Sequence, residues 1–359
     1  MENLYTSTRT NVTGKLSNWS LLILLLFFNA SFAQESKTAG YRNINAYIDD
    51  FAKNELFVKK SLIEYSNSIM DNQLESRSKS TSSKIVEKLK SINTNLRIND
   101  KGYEKNTLLR DSFIRMNEKT IECLTNGTLI MNDYVAQSLN SVSQINQNLK
   151  QRERNLISYF DELRTYEKSK KEFGARYNIP IRTFAGNNIL EYNALENILF
   201  YKINVIDEKI NASINKIDCN DFTESITSLE NIFQETALKT SVYKSNYNDV
   251  SLNNATLSYS NFIYTQKIKV ITLFNAFSEE YPKLKKLKGE PNQGSESFNK
   301  QYNTVVKSYN STKNALFDVV EVIQQNKKTM YENWLEINRT FLKNNAKYED
   351  LYQSYTYNN

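Results

Sequence analysis

Apolar residues recur along most of this chain at alternating steps of three and four, the spacing that gathers them on one face of an α-helix. The clearest run lies between Thr128 and Ile179. There Val135, Leu139, Val142, Asn146, Leu149, Glu153, Leu156, Phe160 and Leu163 form a heptad seam with two polar members. The spacing predicts one continuous helix after the Asn126-Gly127 turn, stopped by Gly174 and Pro180. Upstream, Ile44, Ile48, Phe51, Glu55, Val58, Leu62, Tyr65 and Ile69 predict a first helix. The Ser-rich stretch Ser76–Ser83 reads as a loop, because serine hydroxyls compete for backbone hydrogen bonds. Ile85, Leu89, Ile92 and Leu96 predict a second helix, broken by Asn99-Asp100-Lys101-Gly102. A third is expected from about Glu104 to Thr125.

The pattern then restarts. Arg182–Asn187 reads as a linker, and Leu199, Ile203, Ile206, Ile210, Ser213 and Ile217 form a new seam. Asn220 or Asp221 is expected to cap the next helix, with Glu224 placed for a capping box from Asp221. Its apolar face is Phe222, Ile226, Leu229 and Phe233. Ile263, Val270, Phe274, Phe277 and Tyr281 mark another helix that Pro282 kinks or ends. The last pattern, Ser297–Tyr355, is the longest, ~90 Å if fully helical. Two consecutive four-residue steps at Val319, Ile323 and Lys327 make a stutter in its seam. The expected fold is all-α: two tandem antiparallel four-helix bundles with long heptad-patterned helices, at 41–181 and 188–356, related by an old duplication.

Residues 1–33 have the form of a cleaved signal peptide. Arg9 and Lys15 are followed by the apolar run Leu21–Phe28 and by Ser31-Phe32-Ala33 ahead of Gln34. The run is shorter than the ~20 residues a bilayer span needs, and nothing later is long or apolar enough for a transmembrane segment. An exported protein is expected: periplasmic, secreted or cell-surface associated. The net charge of +6 is mild and spread out, which with export argues against nucleic acid as a partner.

The chain has no histidine, which excludes Ser-His-Asp and Cys-His catalysis and His-ligated metals. Asp49-Asp50, Asp161-Glu162 and Glu279-Glu280 are adjacent carboxylates, but neighbours on a helix point about 100° apart and do not converge on one atom. No catalytic, cofactor or metal site is expected. Glu153 on its seam needs a partner, and Arg110 on the neighbouring helix is the candidate for a structural ion pair. Cys123 and Cys219 form a disulfide if they meet in an oxidising compartment. Against this, Cys123 continues the apolar spacing Leu109, Phe113, Met116, Thr120 and fits a small buried residue. Lys283, Lys285, Lys286 and Lys288 form either a basic patch for anionic lipid or polysaccharide, or cations that complement a helix C-terminus.

Leu109-Arg110-Asp111 opening the third helix, Glu153 midway along the fourth, and Phe173, Ala175, Tyr177, Asn178 and Ile179 at its end resemble an uncharacterised family of exported helical bacterial surface proteins, typified by a leptospiral surface protein. Glu191-Tyr192-Asn193 is similar to the start of that family's first helix. The resemblance covers about 44–181 and, faintly, 190–350. This chain lacks the lipobox cysteine of the family's lipoproteins. The resemblance implies a helical envelope protein and carries no activity. The expected function is therefore non-enzymatic: an exported interaction or structural protein with a protein or glycan partner. Two alternatives are a helical pore-forming or membrane-active protein, with Val270–Phe277 as the segment that would insert, and a carrier of a small apolar ligand in the bundle core.

Overall fold

The computed structural model describes residues 41, 43–70, 75–126, 128, 133–180, 188–244, 248–289 and 295–345, all within the compact unit Gly40–Asn359. The expected signal peptide, the linker at 182–187 and the end of the last helix past 345 lie outside the described residues. Every regular element among the described residues is an α-helix, so the all-α expectation holds.

The first three helices are α1 (Ile44–Met70), α2 (Glu75–Asn99) and α3 (Leu108–Thr125). Their seams are the predicted ones: Ile48, Phe51, Val58, Leu62 and Tyr65 of α1 and Ile85, Leu89, Ile92 and Leu96 of α2 are buried. The Ser-rich stretch is a correction. Helix α2 begins at Glu75 and runs through Ser76–Ser83 rather than starting after it. Serine's helix penalty is only a few tenths of a kcal/mol per residue, a weak prior once the turns beyond it are anchored in a core. The α2–α3 turn is tied by Asp100, whose Oδ1 accepts from the Gly102 N–H at 2.6 Å. Gly102 sits at φ +79°, and a Cβ there would lie 2.3 Å from the Asn106 carbonyl oxygen, so no other residue fits.

The helix expected over Thr128–Ile179 is interrupted. It comprises α4 (Tyr134–Ser138) and α5 (Val142–Arg176). Ser141 leaves the helical region (φ −64°, ψ 154°) and caps α5, its side chain accepting from the Gln144 N–H at 3.3 Å. Val135 and Leu139, seam positions before the break, are 66% and 69% exposed. At the other end Gly174 stays inside the helix, buried. The stop is Asn178 in the left-handed region (φ 55°), with the Ile179 N–H bonded back to the Gly174 carbonyl at 2.8 Å.

The second half comprises α6 (Ile189–Lys216), α7 (Cys219–Lys244), α8 (Ser251–Lys288) and α9 (Glu296–Asn345). Helix α6 is the centre of the molecule. Every residue from Ile198 to Asp207 is buried, and α4, α5, α7, α8 and α9 all pack on it. Phe200 stacks on Trp334 of α9 with centroids 3.7 Å apart, and Tyr192 packs on Phe341 at 5.2 Å. Ile217 ends α6 in the left-handed region, and Asp218 rather than Asn220 or Asp221 caps α7, accepting from the Asp221 N–H at 3.0 Å. Pro282 neither ends nor splits α8, which continues to Lys288.

Helix α5 links the two halves. Its first turns lie along α7, where Asn146 donates to Ser228 Oγ at 2.9 Å. Farther on, Arg164 meets Glu191 at the start of α6 at 2.9 Å. Beyond that, Lys170 pairs with Glu55 of α1 at 3.1 Å, and Phe173 packs on Tyr47 at 5.6 Å. One apolar core therefore runs from Tyr47 in α1 to Phe341 in α9.

Candidate functional site

The residues singled out from sequence fall at separate places. Glu153 does not reach Arg110. Its Oε2 accepts from Lys202 Nζ of α6 at 2.7 Å and its Oε1 from Lys239 Nζ of α7, while Glu235 accepts from both lysines. Burial by itself raises the Glu153 carboxyl, but the two ammonium groups outweigh it and hold it below the usual carboxylate range. Arg110 is engaged at the α2–α3 turn, donating to the Asp100 carbonyl at 2.6 Å and to Asp111 Oδ1 at 2.8 Å. The seam of α5 faces α6 and α7 at this level, so Glu153 meets their lysines and not α3.

Cys123 and Cys219 are both free thiols, which corrects the disulfide expectation. Cys123 is buried beside Tyr159, and burial pushes its thiol up to about 11. Cys219 is exposed at the start of α7, before the turn where Ser228 meets Asn146. Tyr159 and Asn146 are ~20 Å apart along α5, far beyond the ~7 Å between Cα atoms that a disulfide tolerates. Lys283, Lys285, Lys286 and Lys288 are exposed on the last turns of α8, and Lys283 also pairs with Glu280 at 2.7 Å. Of the adjacent carboxylates, Asp161 and Glu162 diverge: Asp161 pairs with Arg164 and Glu162 with Arg115.

The most unusual chemistry was not singled out from sequence. Asp207 of α6 is fully buried between two lysines, Lys267 Nζ of α8 at 2.9 Å and Lys327 Nζ of α9 at 2.5 Å. Lys327 also reaches Glu208 at 2.7 Å, and Lys267 donates to Asn211 Oδ1 at 2.5 Å. Burial pushes the Asp207 carboxyl up, and the two cations more than reverse that, holding it below its ordinary range. One turn-set away, Glu196 is buried with no cation on it. Its Oε1 accepts from Asn253 Nδ2 at 3.1 Å and its Oε2 has no partner. Desolvation pushes its carboxyl up to about 7 against weaker help from Thr256 and Asn253. Asn193, Asn197 and Asn338 close a further polar layer, with Asn193 donating to Asn338 at 2.5 Å and Asn338 to Asn197 at 2.7 Å. The readable trace of these layers was Lys327, a charged residue on an apolar seam.

These buried groups pair with one another across helices. They fix the register of α6, α8 and α9 and are turned away from solvent. The surface offers something different: an open groove of about 650 Å³ between α5 and α7. Ser143, Gln147, Lys150 and Arg154 line the α5 side, and Thr223, Glu224, Thr227 and Asn231 the α7 side. The Asn146–Ser228 hydrogen bond forms part of its lining. Its walls carry hydroxyls, amides, two cations and the Glu224 carboxylate together with apolar surface, so it offers a ligand mixed contacts with a small cationic excess. Val270, Phe274 and Phe277, the segment considered for membrane insertion, are buried in the core, with Phe274 stacked on Phe222 at 4.1 Å. No helix among the described residues is long and apolar enough to cross a membrane. Compared with family models, curated proteins and solved structures, the chain finds no match in any of the three.

Proposed function

We propose that this protein is a non-enzymatic interaction protein, exported to the bacterial envelope or beyond, that binds a protein or glycan partner along the groove between α5 and α7. The observation that carries this reading is the groove itself: an open trough built from both halves of the chain, with Lys150 and Arg154 on one wall and Glu224 on the other. Three of the buried ionisable groups favour the same reading. Asp207, Glu153 and Lys170 are consumed by internal ion pairs. Export rests on the leader-like sequence of residues 1–33, and an envelope role on the resemblance to exported helical surface proteins. We read the architecture as two bundles in tandem, 41–181 and 188–356, with α5 shared between them. The packing of α3 on one part of α5 and of α6 and α7 on another, with Lys170 of α5 paired to Glu55 of α1, supports this, and α1 also reaches across to α9.

The experiment is capture from envelope extract and from a glycan panel with the purified protein and with a Lys150→Glu/Arg154→Glu variant. A ligand held by the wild type and at least tenfold weaker on the variant, with helicity unchanged, is expected. Equal capture by both proteins would remove the groove from the reading. Export is tested on its own by fractionation and N-terminal sequencing, with Gln34 expected as the first residue; a full-length protein retained inside the cell contradicts it.

A further inference from the structure

The outer side of the α5–α7 pair carries more than the trough. Asn146 meets Ser228, and two to three turns on in both helices Glu153 meets Lys239, so α5 and α7 run side by side in the same direction. Past the trough, the two rows that line it turn apolar. Ile157 lies seven residues beyond Lys150, and Leu238 seven beyond Asn231, so each stays on the trough side of its helix. Ile157 is one turn past Glu153 and Leu238 is next to Lys239, so the two stand within about a turn of the same level. They are 45% and 69% exposed. Within one copy of the chain both side chains stand in water.

The charges on this side are arranged about Ile157. Lys150 and Arg154 precede it by two turns and by one, and Asp161 follows it by one. All three are exposed. Glu224 stands at the start of the trough beside Val142, and Lys168 and Lys171 are exposed farther along α5. The other charges are engaged or turned away. Glu153, Glu235, Lys202 and Lys239 pair with one another beneath the surface. Arg164 is shared between Glu191 at 2.9 Å and Asp161 at 2.8 Å, and Glu172 lies 3.9 Å from Lys168. Glu230, 200° round α7 from Ser228, faces away from α5. The order along the strip is therefore carboxylate, two cations, apolar centre, carboxylate, two cations. Such an order is its own complement when reversed.

We infer that the partner of this surface is a second copy of the same chain, docked antiparallel about a two-fold axis through Ile157 and Leu238. The inference rests on the reading of the α5–α7 trough as the working surface and names its occupant. A two-fold contact uses the same patch on both copies, so the patch must complement itself. Here Ile157 and Leu238 of the two copies cover one another. Lys150 and Arg154 of each copy face Asp161 of the other, and Glu224 of each falls opposite Lys168 and Lys171 of the other. A glycan would answer the polar lining but would leave the two aliphatic side chains wet, and the lining has no aromatic ring for a sugar to stack on. Two helices side by side, ~20 Å across, offer ~560 Å² per copy over the ~28 Å from Val142 to Asp161. That is below the ~800 Å² per partner of a standard interface, so the dimer is weak and reversible.

The test is sedimentation velocity of the purified protein over a concentration series. A concentration-dependent dimer is expected. Leu238→Asp, which lies outside the trough lining, Asp161→Lys and Lys150→Glu/Arg154→Glu are each expected to weaken it at least tenfold, with unchanged circular dichroism. Val322→Asp, at an exposed position on α9, is expected to dimerise like the wild type. An equimolar mixture of the Asp161→Lys and Lys150→Glu/Arg154→Glu proteins is expected to regain the dimer, because each copy then supplies the charge the other needs at both contacts. A wild type that is monomeric at every concentration, variants that dimerise undiminished, or a mixture that stays monomeric overturns the inference. A monomeric wild type that still captures an envelope ligand sensitive to Lys150→Glu/Arg154→Glu would sink the second copy and leave the trough standing as a site for another partner. A monomer that captures nothing would remove both.

Discussion

Glu196 offers the sharpest physical test of how this core is built. The perturbation is Glu196→Gln. In the native protein the carboxyl is fully buried on α6, accepts one hydrogen bond from Asn253 at 3.1 Å, and has its second oxygen unpartnered. Burial raises its pKa from 4.5 to about 7. At about 1.4 kcal/mol per unit, this difference corresponds to a linkage on the order of 3 kcal/mol. The sign follows from which state holds the proton. Below the unfolded value both states are protonated and the group costs nothing. As pH rises from there to about 7 the unfolded chain ionises while the folded one does not, and stability falls. Above that the full loss is incurred. Glutamine cannot ionise, and its amide brings two N–H donors where the carboxylic acid brings one O–H. Any constant offset of about 1–3 kcal/mol from an imperfect amide hydrogen bond is independent of pH. The assay is urea unfolding followed by helical circular dichroism at several values between about pH 5 and pH 8. The stability of the variant relative to wild type is expected to rise by about 3 kcal/mol across that window. Parallel curves for the two proteins would refute the reasoning, because they would mean Glu196 ionises as readily in the fold as out of it.

Four further outcomes follow from other parts of the molecule. Asp207→Asn leaves Lys267 and Lys327 buried against a neutral group and should cost about 3–5 kcal/mol by denaturant unfolding, with Asp207→Leu/Lys267→Met recovering part of the loss. Because the folded carboxyls of Asp207 and Glu153 lie below their ordinary values, their contribution is present above those ordinary values and is lost as pH falls through the folded ones, so an acid titration should show unfolding that the Asp207→Asn variant shows less steeply. A thiol reagent should find one fast group, Cys219, and one that reacts only on unfolding, Cys123, with no effect of reductant on stability; a single oxidised pair would contradict the separation of the two sites. Ser141→Ala should lower stability by about 1 kcal/mol through loss of the α5 cap, read from the same urea curves.

Helix existence was legible from periodicity, and helix ends and partners were not. The seam of α1 was readable because one of its faces is buried and the other wet, as the buried run Ile48, Phe51, Val58, Leu62 and Tyr65 shows. The break at Ser141 was not, because Val135 and Leu139 keep the spacing of a seam while standing in water. Spacing along one helix also carries no information about which helix will face it. Glu153 had the right chemistry for a buried ion pair, but its partners, Lys202 and Lys239, come from the other half of the chain. The centrality of α6 had a signal that the three-four pattern obscures: Ile198–Asp207 has no exposed face, so Lys202 and Asp207 in it could only be paired residues. Cys219 was legible only as a cysteine, since its exposure depends on where α7 starts.

The claim that matters most for function is that the trough between α5 and α7 is where a partner sits. A photo-cross-linking residue at Thr227 in the groove and one at Val322, exposed on α9, compare that trough with a remote surface in living cells. A discrete adduct from position 227 that is lost on Lys150→Glu/Arg154→Glu substitution, and is absent from position 322, is the predicted result. Adducts from both positions alike, or from position 322 alone, would place the working surface elsewhere.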